Sequence, residues 1–317
     1  MVPALDILRA ASDATRLRVL CLLRSMELSV GELAQVLEQS QPRVSRHVKI
    51  LCDAGLAVRR KEGSWVFVAL GDAALVTPLL DALDAWSMAD EAQLRADGLR
   101  LSEVRADRAA AAAAWFEAHA GDWDAIRSLH VAEEQVEAAM VAALGSARID
   151  LLVDIGTGTG RMLELFAPQA TQAIGIDRSS EMLRLARAKL TERGLDHAEL
   201  RQADILALPV DTAVVGAAVL HHVLHFVQHP GAAIAEAARV LRHGGRLLIC
   251  DFAPHEREDL RVRDAHARLG FSDEQMQGWF AEAGLVPVSI ETLGGGELTV
   301  KLWMARRAYD VQEVKAA

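Results

Sequence analysis

Cysteine is scarce in this 317-residue chain: Cys21, Cys52 and Cys250 are the only three, and they are widely scattered. That spacing supplies neither a disulfide framework nor a thiolate metal site, and the three are expected as small buried hydrophobes. Aromatic residues are thin as well, 4% with a single tyrosine, although the 51% apolar and 25% charged shares are those of ordinary globular proteins. No apolar run reaches the roughly twenty residues of a membrane span, and the N-terminus lacks the apolar core of a secretion signal. The chain is therefore expected in the cytoplasm, without a membrane partner, and it is long enough for two domains with separate cores.

Basic charge is also lacking overall, since the net charge is −10, but its distribution is uneven. Residues 1–70 carry ten Lys/Arg against seven Asp/Glu, and Ser40 to Lys61 holds six basic residues against one acid. A local basic face is all that nucleic-acid electrostatics require. Residues 3–24 read as helical, with Ser12 or Asp13 as a cap, followed by VGELAQVLE, a polar break at Gln39-Ser40-Gln41, and PRVSRHVKILCDAG. Pro42 suits a first helical turn and Gly55 a stop. The runs LAVRR and SWVFVAL, separated by Lys61-Glu62-Gly63, read as a hairpin. Helix, short helix, turn, helix, hairpin is the plan of a winged helix-turn-helix.

From Asp72 to about Ala118 the pattern is helical, including an alanine run at Ala109 to Ala114 read as a linker. Beyond Trp115, strand-like runs (LLVDIG, AIGID, AELRQAD, AVVGAAVL, GGRLLICDF) alternate with helical ones, the pattern of a mostly parallel sheet with helices on both faces. A helix with a Ser272 to Gln275 capping box then precedes two strands around Gly294-Gly295-Gly296, expected as an antiparallel hairpin at the sheet edge. The expected boundaries are 1–95, a helical linker 96–117, and 118–317.

LLVDIGTGTGR, residues 151–161, is an apolar strand ending in Asp154 and a turn with Gly156, Gly158 and Gly160. Glycines there let backbone approach a ligand closely, and the MLELFA helix points its amide end at the same place. Asp177 closes the next apolar run, where a carboxylate can bond a ribose diol. A dinucleotide fingerprint would need glycine in place of Arg161, which disfavours NAD and FAD. Asp204 also ends an apolar run, so both acids are expected at the C-terminal edge of the sheet, with a helix cap as the alternative role for Asp204. His221, His222, His225 and His229 suggest a metal, with His221 and His225 on one helix face, but no carboxylate or cysteine is near them in sequence and no metal is expected. Asp264 and His266 are expected on a solvated helix face, with a place near an acceptor as the alternative, and no general base stands out.

With five motifs in order, residues 118–310 resemble the class I S-adenosylmethionine-dependent methyltransferases. The resemblance implies an S-adenosylhomocysteine or S-adenosylmethionine site built from Asp154, Gly156, Thr157, Gly158, Gly160, Asp177, Arg178, Met182, Asp204, Ile205 and His221. Asp177 would take the ribose, Asp204 and the Ile205 amide the adenine edge, Met182 the adenine face, and His221 the amino-acid portion. The first 95 residues resemble the ArsR/SmtB family of bacterial repressors, which implies a homodimer on two-fold operator DNA. Ser40, Gln41, Arg43, Ser45, Arg46, His47 and Lys49 fall on the segment resembling its recognition helix and Arg60 and Lys61 on its wing; the dimer interface it implies is the N-terminal helix with the long helix after the wing, where Leu79, Leu80, Leu83 and Trp86 would serve. The metal-sensing positions of many relatives are unmatched: Leu28-Ser29-Val30-Gly31 stands where a cysteine pair would be, and Asp72 to Trp115 has no histidine.

The expected fold is thus a mainly α winged helix-turn-helix domain followed by an α/β doubly wound, Rossmann-like methyltransferase domain with an antiparallel edge hairpin. The fusion resembles S-adenosylhomocysteine-responsive repressors of methionine-cycle genes, implying a sensor. The alternative is a working methyltransferase on a small acceptor with an attached regulator. Arsenite is disfavoured as that acceptor because the second half holds only Cys250.

Overall fold

Asp13 divides the N-terminal helical stretch. Its extended backbone and its side chain, which accepts from the Arg16 N–H, start α2 (Ala14–Leu23) directly after α1 (Ala4–Ala11). The computed structural model describes residues 4–25, 27–62, 65–85, 92–103, 106, 133–294 and 296–308. The chain divides into two compact units, Met1–Ala111 and Ala112–Ala317.

In the first unit, α3 (Val30–Leu37) opens on a capping box. Ser29 Oγ accepts from the Glu32 N–H at 3.2 Å, and the Glu32 carboxylate accepts from the Ser29 N–H at 2.6 Å. α4 (Gln41–Asp53) carries Pro42 in its first turn and buries Val44, Val48 and Leu51, which recur at helical spacing. Gly55, in the left-handed region at φ 71°, follows as the stop. A three-stranded antiparallel sheet has the order β1 (Leu28–Ser29), β3 (Trp65–Leu70), β2 (Ala57–Glu62). Lys61 and Glu62 still pair in the ladder, with Val66 and Trp65, so the wing turn comes after the tripeptide's first two residues; Gly63 lies outside the described residues.

α5 (Ala73–Ala85) corrects one expectation. Leu80 and Leu83, expected on a dimer face, are buried in the unit's own core with Val76, and Leu79 packs against that core. The i, i+4, i+7 spacing of Val76, Leu80 and Leu83 makes one stripe, and the unit's interior covers it. Trp86 lies outside the described residues. The helix over residues 92–103 overlaps the segment expected as a linker, yet Leu101 is part of the same core. The buried Asp97 carboxylate accepts from Arg18 Nε and Nη2, both at 2.7 Å. The alanine run lies outside the described residues.

In the second unit seven strands run in the order β6 (Ala198–Gln202), β5 (Ala170–Asp177), β4 (Ile149–Ile155), β7 (Val215–His221), β8 (Leu241–Phe252), β10 (Val300–Arg307), β9 (Leu285–Leu293). β6 to β8 are parallel, and β10 and β9 are antiparallel, which gives the expected edge hairpin with β10 inside. Successive side chains of a strand point to opposite faces. Leu152, Val219, Leu248 and Cys250 thus enter one apolar cluster, with Met140 and Phe166, while Val153, Ala218, Leu220, Leu247 and Ile249 enter another, with Ile234 and Phe280. Burial on both faces explains why these strands read as unbroken apolar runs.

The helix Asp273–Glu282 carries the expected capping box between Ser272 and Gln275. β9 is outermost. It exposes Val286, Val288 and Ile290, and its pairing slips by one residue where Met304 and Ala305 face Ser289 and Pro287.

Candidate functional site

The strands β4, β5 and β7 end together, and the glycine turn sits on that edge. Gly156, Gly158 and Gly160 all adopt left-handed backbone, at φ 75°, 52° and 87°. The Gly156 and Thr157 N–H groups donate to the Ile176 carbonyl at 2.8 and 2.9 Å, which fixes the turn to the end of β5. At Gly156 a Cβ would lie 2.5 Å from Val223 Cγ2, so the backbone of the turn touches the segment after β7 as no larger residue could. Thr157 Oγ1 donates to the buried Asp154 carboxylate at 2.5 Å. The turn leads into a short helix, Arg161–Phe166, and Arg161 is held by Glu137 at 2.6 and 2.7 Å and by Glu164 at 2.8 Å.

Asp177 closes β5 at the same edge. Its Oδ2 accepts from the Gly158 N–H and its Oδ1 from the Ser179 N–H, both at 2.8 Å. Removal from water pushes this carboxyl above its ordinary value, while the N–H groups of Ser179, Gly158 and Arg178 pull it down. Asp177 therefore already organises the turn before any ligand arrives, a role its position in the sequence does not reveal. Ser179 caps the next helix through the Met182 N–H, and the Met182 side chain is buried; Arg178 is exposed.

The Ala203 N–H donates to the Asp177 carbonyl at 3.0 Å, which brings Asp204 beside Asp177. Asp204 is exposed, and its Oδ1 accepts from the Leu206 N–H at 2.9 Å. It closes a turn rather than capping a helix, and Ile205 is half-buried beside it. His221 ends β7, buried, opposite Cys250 of β8.

The histidines differ from expectation. His221 belongs to a strand and His225 to a single 3-10 turn, Leu224–Phe226, so they share no helix face. Their neighbours in space come from β8: His225 Nδ1 lies 2.8 Å from Asp251 Oδ1, and the His225 N–H donates to Asp251 Oδ2 at 3.3 Å. His222, at φ 54°, is anchored by its N–H on the Cys250 carbonyl at 2.8 Å. Burial pushes the Asp251 carboxyl up to about 6, against the charge of His222 and the N–H groups of Phe252, His225 and Leu224.

His266 is buried too, its ring 4.3 Å from that of His225, and Asp264 is buried at the end of the helix Asp259–Arg263. The solvated face expected for both is corrected: the chain folds back here, with the Ala267 and Arg268 N–H groups donating to the His225 carbonyl. Cys250 and Asp251 as members of this cluster escaped sequence reasoning. The available signal was LLICD, an apolar run closed by an acid in the manner of LLVD and AIGID.

In the first unit, Ser40, Gln41, Arg43, Arg46 and Lys49 form an exposed row from the start of α4 along its outer side. Two expected members turn elsewhere. His47 Nδ1 faces Asp13 Oδ1 at 3.6 Å, its side chain largely covered, and the half-buried Ser45 has its carbonyl occupied by Arg59 Nη2 at 2.7 Å. Arg59, exposed on β2, joins this face and was not singled out from sequence. Arg60 and Lys61 pair along β2 with Phe67 and Val66.

Residues 13–58 match the family model described as bacterial regulatory protein, arsR family, and residues 153–249 match that of the methyltransferase domain. The arsenic resistance transcriptional regulator ArsR1 of Pseudomonas putida is 35% identical over 105 residues, 31% of this chain and 77% of the relative. A phosphatidylethanolamine N-methyltransferase of Cereibacter sphaeroides is 32% identical over 152 residues, 47% of this chain and 72% of the relative. The chain spans only 38% of the length of a 37.1 kDa protein from a Streptomyces fradiae transposon, to which it is 37% identical over 134 residues. Among solved structures, a chain from the complex of the Haloferax volcanii Trm112 methyltransferase activator with its methyltransferase superposes with a TM-score of 0.54 at 18% identity. That match covers 62% of this chain and 98% of the other, and it shows the fold. The chain thus belongs to the arsR family of bacterial regulatory proteins through its first unit and to the class I methyltransferase domains through its second.

Proposed function

We propose that this protein is a cytoplasmic transcriptional repressor whose second unit senses S-adenosylhomocysteine or S-adenosylmethionine and so controls genes of the methionine and S-adenosylmethionine cycle. The observation that carries the reading is the joining of an arsR-family unit to a methyltransferase unit in one chain. The exposed row on α4 suits a major groove and the wing suits phosphates, and the protein acts as a homodimer on two-fold operator DNA. Leu80 and Leu83 being committed to the core, the apolar pair Leu5 and Leu8 on α1, 58% and 56% exposed, is the better candidate for the dimer contact.

In the second unit Asp177 receives the ribose, using lone pairs left over from Gly158 and Ser179, and Asp204 with Ile205 receives the adenine edge. Met182 and His221 complete the pocket. Ligand occupancy biases the spacing of the two recognition helices, which operator binding selects. Titrating an operator complex with each ligand tests this. Weakened DNA binding is expected with S-adenosylhomocysteine, and linkage requires operator to weaken the ligand by the same factor, typically about 5- to 150-fold. Operator affinity indifferent to both ligands would sink the sensor.

One observation favours a second reading, a working methyltransferase on a small acceptor: the second unit spans most of the Cereibacter sphaeroides enzyme's length. Methyl transfer from a sulfonium can run on positioning alone. Turnover of labelled S-adenosylmethionine in the presence of candidate acceptors separates the two.

A further inference from the structure

Five side chains able to bind a metal converge at the ends of β7 and β8; the histidine run hinted at a metal in the sequence, but the approach of Cys250 and Asp251 did not show there. The donor atoms of His222, His225 and Asp251 lie within 4.8 Å of one another, and His221, His222 and Cys250 form a second such group sharing His222. All five residues are buried. We propose that His222, His225 and Asp251 form a binding site for a borderline divalent transition-metal ion of the zinc and cobalt class.

Two imidazoles and a carboxylate are a donor set that suits such ions, leaving further positions for His221, water or an exogenous ligand. Bonds of about 2.0–2.2 Å need the three donors to draw in by under about 1 Å each, within the reach of small side-chain rotations. The surroundings hold the ligands as a metal site requires. Asp251 is oriented by the N–H groups of Phe252, at 2.8 Å, and His225, at 3.3 Å. His222 is kept in left-handed backbone, which a non-glycine residue adopts at a cost and which gathers at functional positions.

Charge argues in the same direction. A carboxylate wholly removed from water is costly unless a counter-charge accompanies it, and Asp251 is held by backbone N–H groups and lies against His222 and His225. A dication between the three would supply that charge. The group assigned to the metal contains no cysteine, so it differs in chemistry and position from the cysteine-pair and dimer-helix sites whose residues the first unit lacks. Val223, between the two histidines in sequence, packs on Gly156, so the segment that carries both histidines also touches the glycine turn.

The test uses the full chain, stripped with a chelator and titrated with cobalt(II) alone, read by visible absorption and by competition with a chelating dye. One equivalent is expected to bind with a ligand-field band of nitrogen and oxygen coordination. His222→Gln and His225→Gln should each weaken it by more than about 100-fold, beyond the loss usual for outer-shell partners. Cys250→Ser should leave band and affinity within a few-fold. Absence of stoichiometric binding by the unaltered chain overturns the proposal, whatever the variants do. So does undiminished binding in both histidine variants, or a thiolate charge-transfer band that vanishes in Cys250→Ser. Far-UV circular dichroism of each variant verifies that the fold survives.

Discussion

Replacing Gly156 with alanine places a methyl group 2.5 Å from Val223 Cγ2 and 2.9 Å from Cγ1, at a backbone φ of 75°. Two separable costs follow. Left-handed backbone costs a residue with Cβ about 1–2 kcal/mol, and forcing an extra methyl into a packed contact costs about 1–3 kcal/mol, or about 2–5 kcal/mol together. Val223→Ala alone removes two half-buried methyl groups, at about 1 kcal/mol. If the effects were independent, the double variant would lose about 3–6 kcal/mol. Val223→Ala, however, removes the two closest atoms that the new methyl meets and leaves Cβ at 3.3 Å, so the double variant should keep the backbone cost and shed most of the steric one, at about 2–3 kcal/mol. The coupling is then about 1–3 kcal/mol, positive rescue, readable from urea unfolding midpoints of the four proteins in the cycle. S-adenosylhomocysteine affinity should follow the same pattern, since the turn proposed to receive it is the part displaced. Additive losses, with no rescue by Val223→Ala, would refute the contact between the turn and the segment after β7.

Asp177→Asn keeps one acceptor for the turn but removes the charge, and should cost about 1–3 kcal/mol of S-adenosylhomocysteine affinity by calorimetry; an unchanged affinity removes Asp177 from the site. Arg46→Ala should abolish the specific operator complex in gel shifts, and binding of the unaltered chain should fall steeply with salt; full affinity in the variant counts against α4 as the reading helix. Asp97→Asn breaks the buried pair with Arg18 and should lower stability by about 3 kcal/mol in urea unfolding; a change under about 0.5 kcal/mol would show that the helix over 92–103 is not tied to α2.

What could be read from sequence is what local chemistry controls. Gly156, Gly158 and Gly160 announce left-handed backbone because other residues avoid it, and an acid closing an apolar run marks a strand end, which located Asp154 and Asp177. Ser29 with Glu32, and Ser272 with Gln275, place helix starts by side chains three residues apart. Contacts between distant segments were hidden. His225 and Asp251 stand 26 residues apart on neighbouring elements, and a period-four reading placed His221 and His225 on a helix where β7 actually ends. Leu80 and Leu83 showed an apolar stripe faithfully, but a stripe does not say whether its own unit or a second copy covers it. His47 likewise sits among exposed neighbours in sequence and is turned to Asp13 by one position around α4.

The slip in pairing between β9 and β10 has a consequence for how this chain behaves when concentrated. An outermost strand of nine residues carrying three exposed β-branched side chains is a template on which other chains can extend the sheet. Pro287 offers no N–H to an incoming strand, and the bulge beside it twists the edge out of the flat geometry that stacking needs. Pro287 and the bulge thus act together against edge pairing, and Pro287→Val is expected to raise self-association of the concentrated chain, read by light scattering against concentration.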